Sequence, residues 1–212
     1  ALAQADELGE ARARAEALWI LGEVARMLGM RERAEEYFEE SLEIYEAAGI
    51  PNGIARNLLS HAQLARYHKD FKRARTLYER ALERYERLGD RRGQGMCLNG
   101  LGEIARFEGQ LELARARYLR ALQIFEGIGA QYDVAITYTN LGLMELRRQD
   151  LAAGEGHLQA ALSLVVENDY PYLLAGIGYN LALIKTMRGE EDRAAEILEP
   201  VWAMNDRVPI PA

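Results

Sequence analysis

The sequence repeats with a period of 40 residues and no gap. LGEVARMLGMRERAEEYF at 21–38 returns as LGEIARFEGQLELARARY at 101–118 and as LGLMELRRQDLAAGEGHL at 141–158. One column reads Leu21, His61, Leu101, Leu141, Leu181, and the next reads Gly22, Ala62, Gly102, Gly142, Ala182. Twelve residues on stands a small column, Ala34, Ala74, Ala114, Gly154, Ala194. Phe38, Tyr78, Tyr118, Leu158, Leu198 follow, and then Ser41, Ala81, Ala121, Ala161, Val201. A unit this short cannot bury its own apolar face, so copies must stack on their neighbours.

Within each copy the spacing predicts two helices. Leu18, Leu21, Val24, Ala25 and Leu28 follow the i, i+3, i+4, i+7 rule and form an apolar stripe expected to face the core. Gly29, Gly109 and Gly189 are placed to end the first helix of a pair, and Gly49, Gly89 and Gly129 the second. Residues that stay small allow close helix approach, and the large ones fill the space between helices.

These columns resemble the tetratricopeptide repeat. The Leu-Gly pair, the Ala twelve residues later, the aromatic four beyond it and the Ala three further on all match, over essentially the whole chain. The family repeat has 34 residues, whereas this one has 40, with longer helices. The family's late proline is replaced by Glu46, Glu86 and Glu126, so the second helix is expected to run on; its first-helix tyrosine is replaced by Ala25, Ala65 and Ala105. Long variants of this kind are similar to those of kinesin light chains and of large bacterial regulators with helical sensor domains. HEAT repeats share the length but lack the Leu-Gly and Ala columns. The resemblance implies an all-α, right-handed superhelical solenoid of five antiparallel helix pairs, near 15–50, 55–90, 95–130, 135–170 and 175–206. The chain is read as one domain. Ala1-Leu2 and Leu8-Gly9 align with Ala81-Leu82 and Leu88-Gly89. Residues 1–10 are therefore expected to be the tail of a preceding repeat, a partial helix in front, and the chain a piece of a longer protein.

Charge is distributed in blocks. Residues 1–50 carry a net −7, 51–92 a net +6, and 93–212 a net −6. An acidic chain lacks the surplus of Lys and Arg that phosphate neutralisation needs, which argues against nucleic acid. The basic middle block is expected to be a solvated face balanced by acidic neighbours. No apolar run approaches the roughly 20 residues of a membrane span. The single Cys97 excludes an internal disulfide framework and fits a reducing, cytoplasmic setting.

The resemblance also implies where a ligand would sit, because the first helix of each pair lines the concave surface. Five inward positions per repeat carry over. They are Glu16, Trp19, Glu23, Arg26 and Met27; then Arg56, Leu59, Gln63, Arg66 and Tyr67; then Met96, Asn99, Glu103, Arg106 and Phe107. The fourth repeat gives Ile136, Thr139, Leu143, Leu146 and Arg147, and the fifth Gly176, Tyr179, Leu183, Thr186 and Met187. Arg26, Arg66 and Arg106 make a column suited to carboxylates or phosphates, beside the softer Met27, Tyr67 and Phe107. Alternatively, Glu23–Arg26 and Glu103–Arg106 are simple i,i+3 pairs. The fourth and fifth repeats turn apolar with Leu143, Leu146, Leu183 and Met187, and carry Thr139, Tyr179, Asn140 and Asn180 as polar handles. An amide side chain offers a donor and an acceptor, which suits a peptide backbone, or else it satisfies a neighbouring helix. The candidate groove is thus Trp19, Arg26, Met27, Arg66, Tyr67, Asn99, Arg106, Phe107, Thr139, Asn140, Leu143, Tyr179, Asn180 and Leu183.

Catalytic and metal-binding patterns are not expected. His61, His68 and His157 are not spaced as a metal set. His61 stands in a column otherwise filled by Leu, so packing is its expected role. Cys97 has no activating base nearby in sequence, the glycines form no phosphate loop, and no cofactor is expected. The reading is a non-enzymatic scaffold for a protein or peptide segment with an acidic part and an apolar part, without nucleic acid or membrane. The alternative is an effector-binding sensor domain of a multidomain bacterial transcription regulator. Self-association is expected through residues 1–20 or the final helix, where Pro200 should kink or end the helix.

Overall fold

The structure, a computed structural model, describes residues 2–168 and 170–205, with side chains described for 6–168 and 170–199. The described residues form ten α-helices: α1 Leu2–Met27, α2 Arg31–Ala47, α3 Pro51–Tyr67, α4 Phe71–Leu88, α5 Arg91–Phe107, α6 Leu111–Gly127, α7 Gln131–Arg147, α8 Leu151–Glu167, α9 Pro171–Met187 and α10 Glu191–Asn205. The all-α helical repeat is therefore the fold. Where one domain was expected, the chain divides into two compact units, Ala1–Glu108 with α1–α5 and Gly109–Ala212 with α6–α10.

Local signals set the helix ends. The Asp70, Asp90 and Asp150 side chains accept from the amides of Arg73, Gly93 and Ala153 at 3.1, 2.9 and 3.0 Å, capping α4, α5 and α8. The glycines chosen from sequence, Gly29, Gly49, Gly89, Gly109, Gly129 and Gly189, all have positive φ, the left-handed turn that a side chain resists. At the same register Lys69 and Gln149 adopt φ of 62° and 64° without being glycine. The second helices run on past Glu46, Glu86 and Glu126 as expected.

In unit 1, α1 packs on α2, α2 on α3, α3 on α4 and α4 on α5, while α3 touches both α1 and α5 along a common layer. The small column, Ala34 and Ala74, is fully buried, and so are the aromatics Phe38 and Tyr78. A Cβ on Gly22 would lie 2.5 Å from the Phe38 ring, so the glycine of the Leu-Gly pair makes room for the aromatic. Where that column's neighbour is Ser41, its hydroxyl donates to the Ala15 carbonyl at 2.7 Å and joins α2 to α1. The contact from one repeat to the next uses a second set of glycines. The Tyr45 ring of α2 sits on Gly53 of α3, and the Tyr85 ring of α4 sits on Gly93 of α5.

In unit 2, α6 keeps the buried aromatics Tyr118 and Phe125, while α7, α8 and α9 repeat the scheme with aliphatic side chains. Leu158 takes the aromatic's place against Gly142, and Ala161, Val165, Ile177, Leu181 and Ile184 complete the core. Fully burying a Leu or Ile contributes roughly 1.5–3 kcal/mol. Lys185 of α9 bridges Glu155 of α8 at 2.6 Å and Glu190 at 3.5 Å, with Arg188 also on Glu155.

Three expectations are corrected. Of the stripe assigned to α1, only Ala25 is buried; Leu21, Val24 and Leu28 are exposed. Their counterparts Leu64, Leu101 and Ile104 are buried because α2 and α4 cover them, and no described helix covers α1 in that way. Residues 2–10 do not form a separate tail, since α1 runs unbroken from Leu2 and Gly9 lacks the positive φ of Gly89; Ala1 lies outside the described residues. Helix α10 continues through Pro200 to Asn205, so of the two expected effects of Pro200, ending the helix is overturned; Val201 has no described side chain.

Candidate functional site

Unit 1 concentrates its polar chemistry where α1, α3 and α5 share a layer. Arg56 of α3 reaches α1, its Nη2 donating to Glu16 Oε2 at 2.5 Å and to Tyr45 Oη at 3.0 Å. Tyr45 Oη donates to the same Glu16 oxygen at 3.1 Å. The guanidinium lies over the Trp19 ring, 4.0 Å from its centroid, and the Trp19 indole N–H donates to Ser60 Oγ at 2.9 Å. Arg56 Nε is buried without a partner. The hydrogen bond from Arg56 holds the Glu16 carboxyl below its usual range, while burial pushes the Tyr45 hydroxyl up.

Two clefts meet at Arg56. One of about 520 Å³ is walled by Arg12, Glu16, Tyr45, Asn52, Arg56 and Asp90. The other, of about 430 Å³, is walled by Trp19, Glu23, Leu59, Gln63 and Met96, and both include Arg56, Tyr85 and Asp90. Polar groups of both signs thus stand beside aromatic and aliphatic surface. Sequence reading placed Arg56 among the inward positions but did not select it; its offset of one period from Glu16 was the available signal.

The arginine column is built differently from an open ladder. Arg26 holds Glu23 at 2.7 Å, the expected i,i+3 pair. Arg66 reaches from α3 to Glu103 of α5 at 2.5 Å and to Tyr78 Oη at 3.3 Å, and burial pushes that hydroxyl up to about 12. Arg106 stacks on Phe107, 4.6 Å from the ring centroid. Arg26 and Arg66 therefore already carry protein carboxylates. Met27 and Tyr67 are largely exposed beside them, and Phe107 stacks on Phe71 at 5.5 Å. Asn99 is half-buried on α5.

In unit 2 two of the polar handles, Thr139 and Asn180, bond to their own helices. Thr139 Oγ1 donates to the Ala135 carbonyl at 2.8 Å, and Asn180 Nδ2 to the Gly176 carbonyl at 2.6 Å. Asn140 and Leu143 are half-buried. Tyr179, Leu183 and Met187 form an exposed row along one face of α9.

Of the other singled-out residues, His61 and Cys97 are core, and His68 and His157 are half-buried. His61 is buried against Phe38, with Arg73 Nη2 at 2.9 Å from its Nε2. Cys97 is fully buried, and burial pushes its thiol up. The bases of 51–92 meet the acids of 1–50, as the charge blocks suggested: Arg73 with Glu35 and Glu39, Arg80 with Glu46, and Arg56 with Glu16. Among the described residues no helix is long and apolar enough to cross a membrane.

With this geometry in place, the class is that of stacked helix-pair repeat proteins. Residues 53–127 match the family model of the tetratricopeptide repeat. No curated protein matches it. Among solved structures it is similar to BtubC (BKLC) from P. vanneervenii, at 21% identity and a TM-score of 0.74 over 100% of this chain and 93% of that one. It is also similar to the Rap conjugation gene regulator of plasmid pLS20 in complex with the Phr* peptide, at 17% identity and a TM-score of 0.76 over 89% of this chain and 53% of that one. A third is the STAND protein PH0952 from Pyrococcus horikoshii, which has a tetratricopeptide repeat sensor. The identity is 16% and the TM-score 0.76, over 95% of this chain and 31% of that one. At these identities the likeness is one of fold, and the chain spans about half of the Rap regulator and a third of the STAND protein.

Proposed function

We propose that the chain is a non-enzymatic binding scaffold and that the inner layer of unit 1 receives a protein or peptide segment at the Arg56–Trp19 clefts. The observation that carries this is the Arg56 cluster itself. A guanidinium stacked on an indole and hydrogen-bonded to Glu16 stands between two open clefts that offer donors, acceptors and apolar walls. An extended peptide presents backbone amides, side-chain charge and apolar groups together, which matches that mixture. The Rap structure with its bound Phr* peptide supports a peptide as occupant of this fold.

The Tyr179–Leu183–Met187 row offers apolar contact on unit 2 as a surface in its own right. A second reading, a sensor domain for a small effector within a larger bacterial regulator, is favoured by the STAND protein's repeat sensor.

Peptides selected from a random display library against the chain separate the two. The scaffold reading expects bound peptides to slow hydrogen exchange at the inner layer of α1, α3 and α5. Protection confined to α2 and α4, or no peptide recovered while a small effector raises Tm, contradicts it.

A further inference from the structure

We propose that Tyr85 is a ligand-binding residue of the clefts at Arg56: its hydroxyl donates to a backbone carbonyl of the bound segment. The inference rests on the reading that a peptide occupies those clefts, and it names an atom that holds the peptide there.

Tyr45 and Tyr85 lie one period apart and are seated alike. Their rings are only 1 and 6% exposed, and each sits on a glycine, Gly53 or Gly93. Their hydroxyls differ. Tyr45 Oη donates to Glu16 Oε2 at 3.1 Å and accepts from Arg56 Nη2 at 3.0 Å. One period on, the residues in the places of Glu16 and Arg56 are Arg56 and Met96. A guanidinium has no acceptor atom and a thioether is a weak one, so the Tyr85 hydroxyl finds no acceptor there. Among the described residues Tyr85 Oη makes no hydrogen bond. Packing does not require the hydroxyl either, since the same register position on α6 is Phe125, whose ring is equally buried.

The phenol stands where a ligand would meet it. Tyr85 lines both clefts, and Arg56 and Met96 line the second beside it. Arg56 donates to Glu16 and Tyr45 through Nη2 alone, which leaves Nη1 for a ligand. Burial pushes the Tyr85 hydroxyl up, so it remains a donor at neutral pH. Two donors, one from α3 and one from α4, are thus presented to one cleft, and a carbonyl oxygen has a lone pair for each.

Charge selects a neutral acceptor over a carboxylate. Glu16, Glu23 and Asp90 line the two clefts together with Arg12, Arg56 and Arg92, so acids and bases balance. A further carboxylate would bring an uncompensated charge out of water, whereas a carbonyl needs only its hydrogen bonds.

Isothermal titration with a display-selected peptide whose binding falls on Trp19→Ala tests the hydroxyl. Tyr85→Phe should raise its Kd about three- to tenfold, with no fall in the urea midpoint. Thiocarbonyls, poorer acceptors, are then placed along the peptide one position at a time. One position should weaken binding to the parent chain and have no effect on Tyr85→Phe. A peptide that needs Trp19 but ignores Tyr85→Phe overturns the inference and leaves the clefts as the binding site. Weakening by Tyr85→Phe that couples to no carbonyl overturns it as well, because the hydroxyl then acts only through the fold. Peptides indifferent to both Trp19→Ala and Arg56→Ala overturn the clefts as the site, and the role of Tyr85 with them.

Discussion

Arg66 of α3 and Glu103 of α5 meet at 2.5 Å, one repeat apart, so Arg66 serves first to tie neighbouring first helices together. Both side chains are about three-quarters buried, which limits solvent screening. A double-mutant cycle with Arg66→Ala and Glu103→Ala should give a coupling of about 1 kcal/mol in urea unfolding. The exposed pair Arg87–Glu83, within one helix turn, should couple at roughly 0.3–0.5 kcal/mol. Equal coupling in the two pairs would mean that the cross-helix contact adds nothing.

The rings of Tyr45 and Tyr85 leave no room for a methyl on Gly53 or Gly93. Gly53→Ala and Gly93→Ala should each cost about 1–3 kcal/mol, because the ring's root as well as its edge is in the way. Gly176 in α9 has open space around the added Cβ, so Gly176→Ala should stabilise by about 0.5–1 kcal/mol. Denaturant midpoints of the three variants check the opposite signs.

Lys69 and Gln149 hold the left-handed conformation that glycine holds at Gly29, Gly109 and Gly189. Lys69→Gly and Gln149→Gly should relieve strain and stabilise by about 1 kcal/mol each. Gly109→Lys should cost a similar amount. Thermal melts that move in the same direction for both exchanges contradict this.

His61 and Asn57 lie one turn apart on the covered face of α3, and His61 Nδ1 and both Asn57 amide atoms are buried without hydrogen bonds. Since Arg73 donates to Nε2, the imidazole proton sits on the unpartnered Nδ1. His61→Leu should therefore stabilise by about 1–2 kcal/mol at neutral pH. Burial, with Arg73 and Arg80 nearby and only partial compensation from Glu35 and Glu39, lowers the His61 pKa below 6.5. The unfolded chain then binds a proton that the folded chain refuses, so the contribution of neutral His61 is full above pH 6.5 and is lost as pH falls below that value toward its folded pKa. His61→Leu should flatten that acid limb, with the remainder due in part to His157, whose pKa burial also lowers. An unchanged limb excludes His61 as its source.

The period made the fold legible before any coordinates. The glycines at helix ends and the Ala and aromatic columns are local rules repeated at fixed spacing, and each reappears as a turn or a buried crossing. What periodicity cannot show is which face a neighbour covers. The stripe of α1 reads the same as those of α3 and α5, yet its exposure depends on the helix beside it. The site was legible in outline only. Arg26 and Arg66 were visible as a column, whereas the partners that neutralise them, and the convergence of Glu16, Tyr45 and Trp19 on Arg56, depend on side-chain reach across helices.

The central claim is that a peptide binds at the Arg56–Trp19 clefts, and isothermal titration of one display-selected peptide tests it most directly. Trp19→Ala and Arg56→Ala should each weaken binding by about 2 kcal/mol or more, roughly thirtyfold, with the melting transition retained. Arg80→Ala, which removes the ion pair with Glu46 of α2, should leave the affinity within a factor of about two. If all three variants bind alike, or if Arg80→Ala weakens binding as much as Arg56→Ala, the peptide sits elsewhere and the account is wrong.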